Sequence, residues 1–128
     1  MRITRIAVLL VAVLVSVGCA RVQPVYNVPD TAVDVSSDNG AEEIRKAILA
    51  GAQAKGWRVE EVGPGHMIAR VAVRTHTATV DIYYDNDSYS IQYRDSSDLM
   101  YDGSNIHRNY NKWIIYLDEQ IRFNLPSE

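Results

Sequence analysis

HMIARVAVRTHTATVDIYYDNDSYSIQYR, residues 66–94, is the stretch whose reading decides the fold. Met67, Ala69, Val71 and Val73 alternate with Ile68, Arg70, Ala72 and Arg74. Ala78, Val80, Ile82 and Tyr84 alternate with Thr77, Thr79, Asp81 and Tyr83. After the turn residues Asp85-Asn86-Asp87-Ser88, Tyr89, Ile91 and Tyr93 alternate with Ser90, Gln92 and Arg94. Successive side chains of a strand point to opposite faces, so each run has an apolar and a more polar face. A fourth run lies just upstream, where Trp57 and Val59 alternate with Arg58 and Glu60 until Gly63-Pro64-Gly65 breaks it. Apolar-in, polar-out alternation with short turns predicts a four-stranded antiparallel meander covered on one face.

Helical periods on either side supply the cover. Ile44, Ala47, Ile48, Gly51 and Ala52 form a single apolar stripe. Asn39 followed by Glu42 resembles a capping box, and Glu42 and Glu43 suit the positive end of the helix dipole as Lys55 suits its negative end. Gly56 is placed as the left-handed residue beyond the last turn, with Trp57 closing the apolar contact after it. The spacing predicts a helix over about 41–55. Ile106, Tyr110, Trp113, Ile114, Leu117 and Ile121 share one face of a second helix, capped by Asp102 or Ser104 and finished before Pro126. The expected order is α-β-β-β-β-α, a two-layer α+β sandwich with both helices on one face. Residues 41–128 number 88, and a chain of that size buries somewhat over about 60% of its unfolded surface, enough without disulfides.

The whole chain is 128 residues, room for one domain. Its 13 Lys and Arg against 16 Asp and Glu give a net charge of −3, which excludes the basic footprint of a nucleic-acid partner. A single Cys excludes an internal disulfide framework. His66, His76 and His107 lack zinc spacing. Asp85-Asn86-Asp87 starts like a calcium loop, but Ser90 and Ser96 stand where that loop needs Gly and Glu. No metal and no cofactor is expected.

The first residues read as an address. Arg2 and Arg5 precede the uninterrupted apolar run of residues 6–15, and Ser16-Val17-Gly18 brings small residues before Cys19. A positive start, a short apolar region and a small-residue cleavage point make a secretory signal over residues 1–18. Even counted to Val17 the apolar stretch would span only about 18 Å as a helix, against a hydrocarbon core of about 30 Å. Residues 19–40, with Pro24 and Pro29 and no lasting apolar period, read as a tether reaching roughly 25 Å. The alternative is that part of it, around Val22, Val25, Tyr26 and Val28, docks as an added strand.

Val15-Ser16-Val17-Gly18-Cys19 resembles the lipobox of bacterial lipoproteins, with Ser16 where that family prefers Leu. The resemblance implies a mature chain that begins at Cys19, with lipid on its thiol and amino group. Loss of Arg2 and Arg5 would leave 11 basic and 16 acidic side chains, a net of −5, so the lipid would make the membrane contact. Ala20, rather than Asp, follows the cysteine. By the enterobacterial sorting rule that implies the periplasmic face of the outer membrane rather than the inner membrane. Four further segments are Gly56-Trp57, Arg74-Thr75-His76, Tyr101-Asp102-Gly103 and the run from Asn105 to Trp113. Together they resemble a family of small, functionally uncharacterised proteobacterial lipoproteins, a resemblance that implies no activity.

Two groups of residues are candidates for function. His107 and Asn111 sit one helical turn apart, where both can face His76 or the Tyr101-Asp102 segment. The plain expectation for such a cluster of His76, Asp102, His107 and Asn111 is structural hydrogen bonding. Arg70, Arg74, Tyr83 and Arg94 lie on the polar face of the strands, a candidate docking face for peptidoglycan or an envelope protein. The expected function is therefore a lipid-anchored, non-catalytic binding or scaffolding module. The alternative is a small periplasmic hydrolase using His107 with Asp102.

Overall fold

The computed structural model of the protein describes residues 21–35 and 38–126; the signal segment 1–18 and Cys19 lie outside the described residues. In chain order the elements are β1 (Val22–Pro24), β2 (Val28–Ala32), α1 (Gly40–Ala54), β3 (Arg58–Gly63), β4 (His66–Val73), β5 (His76–Tyr84), β6 (Ser88–Ser97), β7 (Asn105–His107) and α2 (Arg108–Asn124). Five strands form an antiparallel sheet in the order β2-β6-β5-β4-β3, and β1 pairs with β7 in a separate ribbon. Ile44 and Ile48 of α1 and Ile114, Leu117 and Ile121 of α2 share one core with Met67, Val80, Ile82 and Tyr89 of the sheet. The other sheet face, carrying His66, Arg70, Asp81 and Tyr83, is turned away from both helices.

The expected four-stranded α-β-β-β-β-α sandwich does not form: among the described residues seven strands in two sheets, with two helices among them, replace it. Two of the additional strands come from the stretch expected to be tether. Val28 fills the core at 1% exposure, while Pro29, which has no N–H to donate, fits β2 only because β2 is an edge strand. The pairing with β6 slips between Val28 and Thr31. The third, β7, hides inside the second helical stripe. Ile106 precedes Tyr110 by one turn, yet α2 begins only at Arg108, because the backbone of this segment bonds elsewhere. The His107 N–H donates to the Leu99 carbonyl at 2.8 Å and the Arg108 N–H to the Arg21 carbonyl at 2.8 Å.

Local rules account for the ends of α1. Gly56 has φ +77°, its N–H donates to the Gln53 carbonyl at 3.2 Å, and the Trp57 N–H donates to the Ala52 carbonyl at 2.9 Å. These two bonds satisfy the last helical carbonyls and turn the chain into β3. Asn39 stands at the cap position, and its side chain makes no cap bond to the first turn. Where α1 crosses α2, a Cβ on Gly51 would lie 2.7 Å from the Ile121 nitrogen, so the helices approach as closely as glycine permits. Among the described residues no helix is long and apolar enough to cross a membrane.

Candidate active site

The end of β6, the start of β5 and the loop ahead of β7 meet at one corner of the sheet. Here Tyr93, Arg94, Ser96, Asp98 and Tyr101 line a cleft of about 580 Å³. Its floor is aromatic. The Tyr93 and Tyr101 rings lie 4.2 Å apart, and Tyr110 meets Tyr93 edge-on at 5.6 Å. The Tyr93 hydroxyl shares a 2.8 Å hydrogen bond with Ser96 Oγ, and burial pushes its pKa up. The fully buried Tyr110 hydroxyl has no hydrogen-bond partner among the described residues, and burial, then Tyr93 and Tyr101, raises its pKa. The loop is strained: Asp98 has φ 58° and Met100 φ 54°, a left-handed region that costs a residue with a Cβ about 1 kcal/mol or more.

That strain sets a histidine. The Asp98 carbonyl lies 2.6 Å from His76 Nδ1, and Asp98 Oδ2 lies 3.4 Å from the same nitrogen. A carbonyl only accepts, so Nδ1 carries a proton, and in the neutral ring the lone pair is on Nε2. Thr75 Oγ1 donates to Asp98 Oδ2 and holds the carboxylate in place. Nε2 of His76 has no hydrogen-bond partner among the described residues. An imidazole with one nitrogen anchored and the other open is the arrangement of a general base.

A second histidine–carboxylate pair lies on the open sheet face. The tight turn at Arg74 and Thr75 puts His66 directly across from Tyr83 and diagonal to Asp81. His66 Nε2 sits 2.7 Å from Asp81 Oδ1, and its ring stacks on Tyr83 at 4.5 Å. Arg94 Nη1 donates to that same Asp81 oxygen at 2.9 Å. Arg94 is the extra residue of a bulge between the Thr79–Asp95 and Val80–Tyr93 pairs, and this places it beside both Asp81 and the cleft. Asp81, at 8% exposure, is thus paired with a cation as well as a histidine, as a buried carboxylate must be.

The four residues expected to cluster are divided among separate tasks. His107 caps α2, its Nδ1 accepting the Asn109 N–H at 3.1 Å. Burial first, then the positive charges of Arg108 and Arg21, pushes its pKa down. Asp102 accepts the N–H groups of Ser104 at 2.9 Å and Asn105 at 2.8 Å, which hold its pKa below the usual carboxylate range. The Asp102–His107 pairing of the hydrolase alternative is therefore not made. Asn111 accepts the Tyr26 N–H at 2.9 Å and donates to the Pro24 carbonyl at 3.0 Å, fastening the β1–β2 connection to α2. On the expected docking face Arg70 reaches Glu60 at 3.2 Å, Tyr83 covers His66, Arg94 holds Asp81, and Arg74 adopts φ 58° in the β4–β5 turn.

The expectation of a non-catalytic binding or scaffolding module is overturned by the two histidine–carboxylate pairs, His66–Asp81 and His76–Asp98. With it goes the expectation that the protein is not an enzyme. Of the partners, Asp81 and Asp98 were missed. The β4–β5 turn register was a signal for the first; nothing short of the loop's conformation pointed to the second. Among the described residues no three His, Cys, Asp or Glu side chains converge to hold a metal ion. No family model, curated protein or solved structure matches this chain.

Proposed function

We propose that the protein is a small hydrolase working by general acid–base catalysis in the cleft at the end of β6, with His76 as the base. The observation that carries this is the tautomer of His76, anchored through Nδ1 on the carbonyl of Asp98, a residue that lines the cleft, with Nε2 unpartnered among the described residues. In such a step Nε2 takes a proton from a water as its oxygen attacks the substrate's electrophilic centre, then returns the proton to the leaving group. The Asp98 carbonyl orients the ring, and the Asp98 carboxylate, 3.4 Å from Nδ1, steadies the imidazolium. Arg94 lines the same cleft, with its guanidinium held by Asp81. The His66–Asp81–Arg94 group reads instead as a cross-strand clip: Tyr83 lies over the ring and Arg94 neutralises the carboxylate.

The envelope address belongs to the same proposal and is supported by the lipobox resemblance of residues 15–19. His76→Gln tests the chemistry against activated esters, phosphoesters and glycosides. The expected result is a loss of about 10²-fold or more in turnover of whichever class is hydrolysed, with unchanged melting. Equal turnover by the variant, or a nitrogen-15 spectrum showing His76 protonated on Nε2, would refute the assignment.

A further inference from the structure

A second cleft, of about 560 Å³, opens where β3 and β5 begin and β4 nears its end, and is lined by Gly56, Arg58, Arg70, Thr77 and Thr79. Arg58 and Arg70 are direct cross-strand partners, and Arg70 is in turn opposite Thr79. Side chains so paired leave the sheet on one face with Cβ atoms about 5 Å apart, and like charges in that relation repel. Glu60 answers only part of this charge, through one 3.2 Å bond to Arg70. Arg58 and the half-buried Thr79 hydroxyl have no partner among the described residues. On a chain of net charge −3, two cross-strand arginines lining one cleft with two threonines make a local exception.

We infer that this cleft binds a phosphate group, independently of the chemistry at His76. Two planar guanidiniums can offer paired N–H donors to a tetrahedral oxyanion, the geometry for which arginine is better suited than lysine. Thr79 supplies a hydroxyl donor, and the space beside Gly56 is open, since a Cβ there would meet nothing within 4 Å. Bound phosphate cancels the Arg58–Arg70 repulsion, so occupancy and sheet stability are linked.

Titration of the full chain with inorganic phosphate, followed by amide chemical shifts, reads the site directly. Saturable shifts are expected at Arg58, Arg70, Thr77 and Thr79. Arg58→Gln and Arg70→Gln should each weaken binding about tenfold or more, whereas Lys46→Gln, the same charge change on exposed α1, should not. In phosphate-free buffer Arg58→Gln should melt slightly higher than the wild type, and added phosphate should reverse that order. Vesicles of phosphatidylglycerol distinguish the source: preference for them over free phosphate assigns the group to a lipid headgroup. Absence of saturable shifts with both probes, or binding that survives both arginine substitutions, overturns the inference.

Discussion

Replacing Tyr89 by Phe removes one oxygen from the centre of the core. The Tyr89 hydroxyl donates to Asp118 Oδ1 at 2.6 Å, and Arg122 Nε holds the other carboxylate oxygen at 2.9 Å. Tyr89 is fully buried and Asp118 is 7% exposed, so water replaces the lost donor poorly. A hydrogen bond to a charged group contributes roughly 1.5–3 kcal/mol, and the surviving Arg122 contact, on a largely exposed side chain, offsets little of that. We expect a loss of about 2 kcal/mol, a fall in melting temperature of about 8 °C for a domain of this size. Urea and thermal melts of the single variants and of the double variant with Asp118→Asn should show strong coupling between the two positions. The alkaline side gives an independent check. Burial, then the bond to Asp118, raises the Tyr89 pKa, so the fold needs a proton that the unfolded tyrosine gives up near pH 10. Stability is therefore full below about pH 10 and falls as pH rises beyond it, and Tyr89→Phe should flatten that fall. An unchanged urea midpoint, or strict additivity with Asp118→Asn, would refute the reasoning.

His107→Ala should cost about 0.5–2 kcal/mol by removing the cap on Asn109, and His107→Asn should restore part of it in urea melts. Because its pKa is depressed, His107 adds stability that is present above its unfolded value near 6.5 and lost as pH falls, so His107→Ala should weaken that acid dependence. Cys19→Ser should abolish incorporation of a radioactive fatty acid in intact cells; persistent labelling would remove Cys19 as the lipidation site.

What could be read from residues alone followed the range of the interactions involved. The Gly56-Trp57 exit from α1 was legible because both of its bonds close within five residues. Runs of alternation marked β4 to β6 for the same reason: each pairs with its neighbour in sequence across a short turn. β2 was not legible, since Pro29 and Asp30 break its pattern and its partner lies some sixty residues away. Ile106 was misread because a buried residue one turn ahead of Tyr110 satisfies a helical period and a strand equally well. At the site, His76 and His107 stood out by type. Their partners were set by carbonyls and backbone N–H groups that belong to no residue type, and so Asp98 left no mark in the pattern.

The β1–β7 ribbon also governs when the domain can be completed. Val22 pairs with His107, the Val25 N–H donates to the Ser104 carbonyl, and the Tyr26 N–H waits for Asn111. A chain that emerges amino end first holds these strands unpaired until its last quarter arrives. The β2–β6 pairing also spans a long loop, and such closures are slow because their entropy is lost before the contacts form. The first-made strands thus remain exposed edges until those partners emerge, the condition in which unpaired strands associate with the wrong partner. For this fold the carboxyl-terminal helix acts as the latch, and a chain cut short before Asn111 would leave its own beginning unfastened.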